Sequence, residues 1–290
     1  MPAILHASDL HFGPPFLPDR AEGLLELETR LSPDLVVLSG DFTQRAKTAQ
    51  FADAAAYVSR FQGPTIVTSG NHDVPLYRFW ERAFAPHGNY RRFIESRLNY
   101  VHSQPGLTVV SLNSSRALTF TNGRLRTSQL KLAGRAFGQA PASDMRVVVT
   151  HHPITPPPLP DPEVAAGWRR ALRAFSAMGV DVVLAGHKHR AYEAQSADWI
   201  PQSAALIPGA TERGATARVP IIHAGTATSS RGRGHETGRN SVNLLRMAED
   251  ELRLSKYQWT KPSGAFERQS ETRLARGDSR LPESGRASSP

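Results

Sequence analysis

Five short blocks follow one another along the chain: Asp9-Leu10-His11, Gly40-Asp41, Gly70-Asn71-His72-Asp73, His151-His152-Pro153 and Gly186-His187-Lys188-His189. Each follows an apolar run, and the polar groups they offer are mainly Asp, Asn and His. Such oxygen and imidazole ligands suit divalent first-row metals. A carboxylate has two oxygens and can bridge two ions about 3.5–4 Å apart. Asp41, directly after an apolar strand and a glycine, is the natural bridge. A lone Gly-Asp or His-x-His turns up by chance in many soluble proteins. Five such blocks in order, each at a predicted strand end, point to a two-metal hydrolytic centre.

The elements that must carry these blocks are short. Apolar runs predict strands at Ala3–Ala7, Leu35–Ser39, Thr65–Ser69, Leu107–Leu112, Arg146–Thr150, Asp181–Ala185, Pro220–Ala224 and Ser241–Arg246. Uninterrupted runs of this length suggest strands buried on both faces. Between them, Phe51, Ala54, Ala55 and Val58 make one apolar stripe of a helix over Ala46–Phe61. Arg20–Leu31, Leu76–Phe84, Thr127–Phe137 and Glu163–Met178 are further predicted helices. The early half reads βαβαβ, which implies parallel strands with right-handed crossovers. The ligands then fall at the carboxyl ends of strands, where α/β sheets open their crevice. Continued alternation past the strand end would send Asp9 and His11 to one side, and His187 and His189 likewise.

The five blocks together resemble the calcineurin-like metallophosphoesterases, and more narrowly the bacterial branch of cyclic-nucleotide and glycerophosphodiester phosphodiesterases. The resemblance covers roughly residues 3–260. It implies an α/β fold, a four-layer sandwich of two mixed β-sheets flanked by helices. It also implies two divalent or trivalent ions (Mn, Fe, Zn or Co), one on Asp9, His11, Asp41 and His189, the other on Asp41, Asn71, His151 and His187. His151 and His152 compete for one place, and the family's spacing to the proline selects His151. Family chemistry uses a metal-bridging hydroxide for in-line attack on phosphorus. Two dications, two carboxylates and a hydroxide leave about one positive charge for a phosphodiester anion to cancel, so neutral His and Asn keep the centre electrophilic. His72 is not a ligand in the family. It is placed to hydrogen-bond a phosphoryl oxygen or to protonate the leaving alkoxide. Asp73 either orients the next segment or shares in catalysis. The expected substrate is a small phosphodiester, a 3′,5′-cyclic nucleotide first, with glycerophosphodiester, phosphomonoester and DNA hydrolysis as alternatives. A non-catalytic metal-binding scaffold is the alternative of a different class.

Composition bounds these readings. The 290 residues contain no Cys, which excludes disulfides and thiolate metal sites and suits a reducing cytosol. The N-terminal residues read as a first strand rather than a signal peptide, and no apolar run reaches the roughly 20 residues of a membrane span. A cytoplasmic location and no membrane span are therefore expected. The net charge of +9 invites a nucleic-acid partner, but the arginines are scattered and no DNA-binding module is visible, so none is expected. Oligomeric state is not legible. Arg45, Thr228 and Arg231 sit in loops suited to touch substrate phosphate or sugar. His6 and His223 read as core histidines, and His87, His102 and His235 as surface ones. Residues 1–260 read as the catalytic domain. Residues 261–290, rich in Ser, Gly and Arg, read as a disordered C-terminal tail. Pro153–Pro160 reads either as a stiff wall of the cleft or as a connector.

Overall fold

The computed structural model describes residues 2–119, 121–157, 163–200, 218–248 and 251–275. Its first sheet gathers β1 (Ala3–Ala7), β2 (Leu35–Leu38), β3 (Thr65–Val67), β10 (Ser241–Met247), β11 (Glu251–Thr260) and β12 (Ala265–Ala275) in the order β12-β11-β10-β1-β2-β3. The second gathers β4 (Asn99–Gln104), β5 (Leu107–Leu112), β6 (Met145–Val149), β7 (Val182–Ala185), β8 (Tyr192–Gln195) and β9 (Pro220–His223) in the order β4-β5-β6-β7-β9-β8. Both sheets are mixed. β1, β2 and β3 run parallel while β10, β11 and β12 are antiparallel; β5, β6, β7 and β9 run parallel between the antiparallel edges β4 and β8.

Strand alternation explains the layers. Leu5, Ala7, Val36 and Leu38 point outward and pack with Leu24 and Leu27 of α1 (Pro18–Leu31) and Phe51 of α2 (Thr48–Val58). Ile4, Leu35 and Val37 point the other way, into a core shared with Val109, Val147, Val149, Val182, Leu184 and Ile222 of the second sheet. The second sheet's outer face, through Val110, Val148, Val183 and Ile221, is covered by α5 (Thr127–Gln139) and α6 (Trp168–Ala177). Two short helices, α3 (Phe79–Phe84) and α4 (Gly88–Phe93), follow β3. The layers are therefore helices, sheet, sheet and helices, the sandwich expected of the sequence. Strands with both faces covered need mostly apolar residues on both sides, which is why β2 and β7 read as continuous runs and β1 and β6 are interrupted only by His6 and Arg146.

One expectation is corrected. The segment from Lys261 does not begin a tail: Ala265–Ala275 form β12, paired antiparallel with β11 from Thr260↔Ala265 to Glu251↔Ala275, with a register shift between Lys256 and Tyr257. It is an edge strand whose mostly polar side chains face solvent, so it carries no apolar run. Phe266, 1% exposed, supplies its anchor, and Arg30 of α1 donates to the Phe266 carbonyl at 2.5 Å. Residues 276–290 lie outside the described residues, as do Pro158–Pro160 of the proline-rich stretch. Among the described residues no helix is long and apolar enough to cross a membrane.

Candidate metal centre

The five blocks occupy the turns after β1, β2, β3, β6 and β7, so the parallel strands of both sheets deliver them to one place. Backbone bonds extend the ladders into the turns: Asp9 N–H to the Gly40 carbonyl (3.0 Å), His11 N–H to Asp41 (2.9 Å) and Gly186 N–H to His151 (3.0 Å). Asp9, His11, Asp41, His187 and His189 all have positive φ, between 53° and 75°. The alternation argument therefore needs correcting. Asp9 and His11 do converge, as do His187 and His189, but through left-handed turns rather than extended chain. For residues other than glycine such backbone costs about 1–3 kcal/mol each and clusters at functional sites. The glycines of the blocks have a steric reason as well. A Cβ on Gly70 would overlap Asp41, and one on Gly186 would overlap Ser8 and crowd Asp9.

Two groups of ligand atoms result. In the first, Asp9, His11, Asp41 and His189 place one ligand atom each within 4.8 Å of the others, all buried. His189 Nε2 lies 3.3 Å from Asp9 Oδ1, and His11 Nε2 lies 3.6 Å from Asp9 Oδ1 and 3.7 Å from Asp41 Oδ2. In the second, His151 Nε2 lies 3.4 Å from Asp41 Oδ1 and 3.2 Å from Asn71 Oδ1, while His187 Nδ1 lies 2.9 Å from Asn71 Oδ1. Asp41 thus turns one oxygen to each group. The donor set fits two metal ions. Asp9 Oδ1 and Asp41 Oδ2 are buried without a hydrogen-bond partner, which is costly for a carboxylate unless a cation completes it. Ligand atoms each about 2.0–2.2 Å from a shared ion stand roughly 3–3.6 Å apart in tetrahedral geometry, close to the 2.9–3.7 Å of the pairs above.

Electrostatics agrees. Burial opposes ionisation of Asp41, yet the imidazoles of His151, His72 and His11 hold its carboxyl well below the usual range. Burial likewise opposes ionisation of Asp9, and His189 and His11 hold it down. Burial lowers His187 and His189, keeping both neutral, as ligation requires. His151 differs: burial would lower it, but Asp41, Asp9 and the Ser39 carbonyl together outweigh burial and raise it to about 9.

Hydrogen bonds orient the imidazoles. His151 Nδ1–H donates to the Ser39 carbonyl at 2.7 Å, leaving Nε2 toward Asp41 and Asn71. His152 turns away: its Nδ1 pairs with Ser114 Oγ at 2.8 Å. His187 uses Nδ1 toward Asn71 because its Nε2–H faces Glu163 Oε2 at 3.3 Å, and Lys188 Nζ donates to that same oxygen at 2.9 Å. Glu163 escaped sequence reading as a site residue, since it stands outside every block and its only signal was the start of a predicted helix. Asp73 resolves to an organising role. It accepts from the backbones of Gly70 (2.9 Å), Phe42 (3.2 Å) and Thr43 (2.9 Å), tying two turns together. Burial and the Asp41 charge push it up to about 7.

His72 packs edge-on to His11, ring centroids 4.9 Å apart, and donates Nδ1–H to the Gln44 carbonyl at 2.9 Å, leaving Nε2 without a hydrogen-bond partner among the described residues. Burial lowers its pKa to about 4. Beside it opens a cleft of about 190 Å³ whose lining includes Asn71, His72, Arg45, Gln44 and Thr121. Arg231 reaches the same edge, donating to Gln44 Oε1 at 3.1 Å. Thr228 does not: it is fully buried, and its hydroxyl donates to the Leu10 carbonyl at 2.8 Å, bracing the first block. A small buried hydroxyl in a turn reads the same in sequence whether it faces substrate or backbone. His6, bonded to Ser39 Oγ at 2.9 Å, and His223, stacked on Tyr192, are core residues as expected. His87, expected at the surface, is instead buried between Ser69 Oγ (3.3 Å) and Asn113 Nδ2 (3.2 Å).

Comparison with known proteins agrees with this geometry. A family model described as calcineurin-like phosphoesterase matches residues 2–191. A protein of Synechococcus sp., described as a probable cyclic nucleotide phosphodiesterase, is 30% identical over 122 residues, 42% of this chain and 43% of that protein. A purple acid phosphatase from yellow lupin (Lupinus luteus) seeds has a TM-score of 0.69 at 12% identity, over 96% of this chain and 54% of the lupin chain. A dimetal phosphatase from Danio rerio has a TM-score of 0.63 at 12% identity, over 95% of this chain and 99% of that one. This chain thus spans about half of the lupin enzyme, and its match to the Synechococcus protein covers less than half of either chain.

Proposed function

The chain belongs to the calcineurin-like phosphoesterase family, and from that membership we propose that it is a dinuclear metal-dependent phosphodiesterase of small diesters, with 3′,5′-cyclic nucleotides as the leading substrates. The observation that carries the reading is Asp41, whose two oxygens face two different sets of imidazole and amide ligands. One ion would be held by Asp9, His11, Asp41 and His189, the other by Asp41, Asn71, His151 and His187. Bound Mn, Fe, Zn or Co ions supply Lewis acidity, lowering the pKa of a shared water and polarising the phosphoryl oxygens.

The chain's own residues prepare the rest. Ser39 and Glu163 fix the tautomers of His151 and His187, so each ring presents a bare nitrogen to its ion. The Gln44 carbonyl holds the His72 proton on Nδ1 and leaves Nε2 for the substrate. In the free site His72 is neutral. An arriving phosphodiester anion favours its imidazolium, so a proton taken up from solvent onto Nε2 would bond a phosphoryl oxygen and pass to the leaving alkoxide, returning His72 to its neutral form. Arg45 and Arg231 add positive charge along the diester's path. The narrow cleft of about 190 Å³ supports a small substrate, and the description of the Synechococcus relative supports a cyclic nucleotide.

The test is a substrate panel at fixed Mn, with metal content measured alongside: cyclic nucleotides, glycerophosphodiesters, monoesters and single-stranded DNA. Cyclic-diester turnover should lead, with KM nearly constant from low to physiological salt. A nuclease would instead weaken steeply with salt, because each neutralised phosphate releases about one counterion. DNA cleavage with poor cyclic-nucleotide turnover would reverse the substrate assignment. A metal-loaded chain with no turnover of any ester would leave only a binding scaffold.

A further inference from the structure

A cavity of about 420 Å³ outside the metal centre lies beside the N-terminus of α5 and the turn after β5. None of the proposed metal ligands lines it. Three arginines do, Arg116, Arg124 and Arg126, and no acidic side chain. Among the described residues no carboxylate pairs with any of the three.

The amide oxygens of the lining and the His87 Nε2 already accept hydrogen bonds. Asn99 Oδ1 takes the Asn113 backbone N–H (3.0 Å) and Gln129 Nε2 (2.6 Å). Asn113 Oδ1 takes the Ser115 N–H (2.9 Å), and Gln129 Oε1 takes the Arg126 N–H (2.7 Å). His87 Nε2 accepts from Asn113 Nδ2 at 3.2 Å. What remains to offer a ligand is mostly donors, three guanidinium forks and the Asn99 amide, beside the Ser115 and Ser128 hydroxyls, which can donate or accept. The positive end of the 13-residue α5 adds to them. A site rich in donors and free of acids selects an acceptor-only anion, and planar guanidinium forks match phosphate oxygens. The volume exceeds what inorganic phosphate fills and falls in the range of roughly 300–1,000 Å³ usual for small-molecule sites. Ala83, Pro86, Leu98 and Ala117 provide an apolar wall for an organic body. We propose that this pocket binds a soluble organic phosphate, a phosphate monoester on a compact ring-bearing body, at a site separate from the metal centre. The proposal does not rest on the reaction assigned to that centre.

Calorimetric titration of the full chain tests it, with adenosine monophosphate and inorganic phosphate as probes. The variants are the exposed or half-exposed pair Arg116→Ala/Arg124→Ala and, separately, Asp41→Asn. The nucleotide should bind more tightly than inorganic phosphate. The double arginine variant should weaken it at least about tenfold, the loss expected for one charge-assisted hydrogen bond. Its melting temperature and its turnover of a generic chromogenic diester should stay as in the wild type. Asp41→Asn should leave this binding in place. Equal nucleotide affinity in the double variant would overturn the site. So would loss of binding in Asp41→Asn alone, which would put the phosphate on the metal centre. Arginine-dependent binding to phosphatidic-acid vesicles without binding of the soluble nucleotide would overturn the assignment to a soluble ligand.

Discussion

Replacing Asp41 with Asn removes one negative charge and almost nothing else. Asp41 is fully buried, its Oδ1 accepts the His72 N–H at 2.8 Å, and its Oδ2 has no hydrogen-bond partner. An asparagine can keep its oxygen on His72 and put its amide nitrogen where Oδ2 stood, near His11 Nε2. The protein without metal should therefore fold normally, and Asp73, which Asp41 pushes up, should ionise more easily. The metals lose much more. At an effective dielectric constant of about 20, unit charges about 4 Å apart interact by roughly 4 kcal/mol. A carboxylate touching two dications exceeds that, so about 4 kcal/mol is a floor, equivalent to about three decades in the combined binding constants. Chelator-competition titration with Mn, plus melting curves with and without metal at about pH 9, where Asp41 no longer holds a proton on His151, should show a little-changed melting temperature without metal. The stabilisation by metal should disappear, and turnover should fall by orders of magnitude. Two tightly bound ions and near-normal turnover in this variant would refute the bridging role.

His72→Ala should keep both metals yet lose roughly 100- to 10,000-fold in turnover, least for substrates with good leaving groups; loss of metal would make His72 a ligand instead. Glu163→Gln keeps an oxygen near His187 but drops the charge, and chelator competition should read a metal affinity about 10- to 100-fold weaker. Metal affinity should rise with pH up to about 9, by up to about tenfold per unit, because the ion must displace the proton that Asp41 holds on His151. The same raised pKa stabilises the fold without metal below the unfolded value near 6.5 and stops doing so as pH climbs through about 9, so affinity measured from pH 6 to 9 that stayed flat would contradict it. A chain ending at Ala275 should melt like the full chain. One ending at Lys261 loses β12 and the buried Phe266, a cost of about 2–3 kcal/mol or roughly 3–5 °C, and exposes a long β11 edge to aggregation.

Sequence alone determined the parts that depend on chain-local chemistry. Strands covered on both faces must be mostly apolar, so β1, β2, β5, β6, β7 and β9 stood out, and the blocks after several of them named the candidate ligands. Three of the four edge strands escaped for the opposite reason. β4, β8 and β12 show much of their surface to solvent, so their sequences look like loop or tail. Only the tertiary structure decided what distant residues do to one another. It sent His151 toward Asp41 and His152 toward Ser114, showed that left-handed turns and not strand alternation aim Asp9 and His11, and set Glu163 behind His187. It also turned Thr228 inward and made His87 a buried link beside an arginine-lined cavity. A side chain's type is written in the chain, but its role follows from which atoms the fold brings within hydrogen-bonding distance, and those partners lie tens to hundreds of residues away.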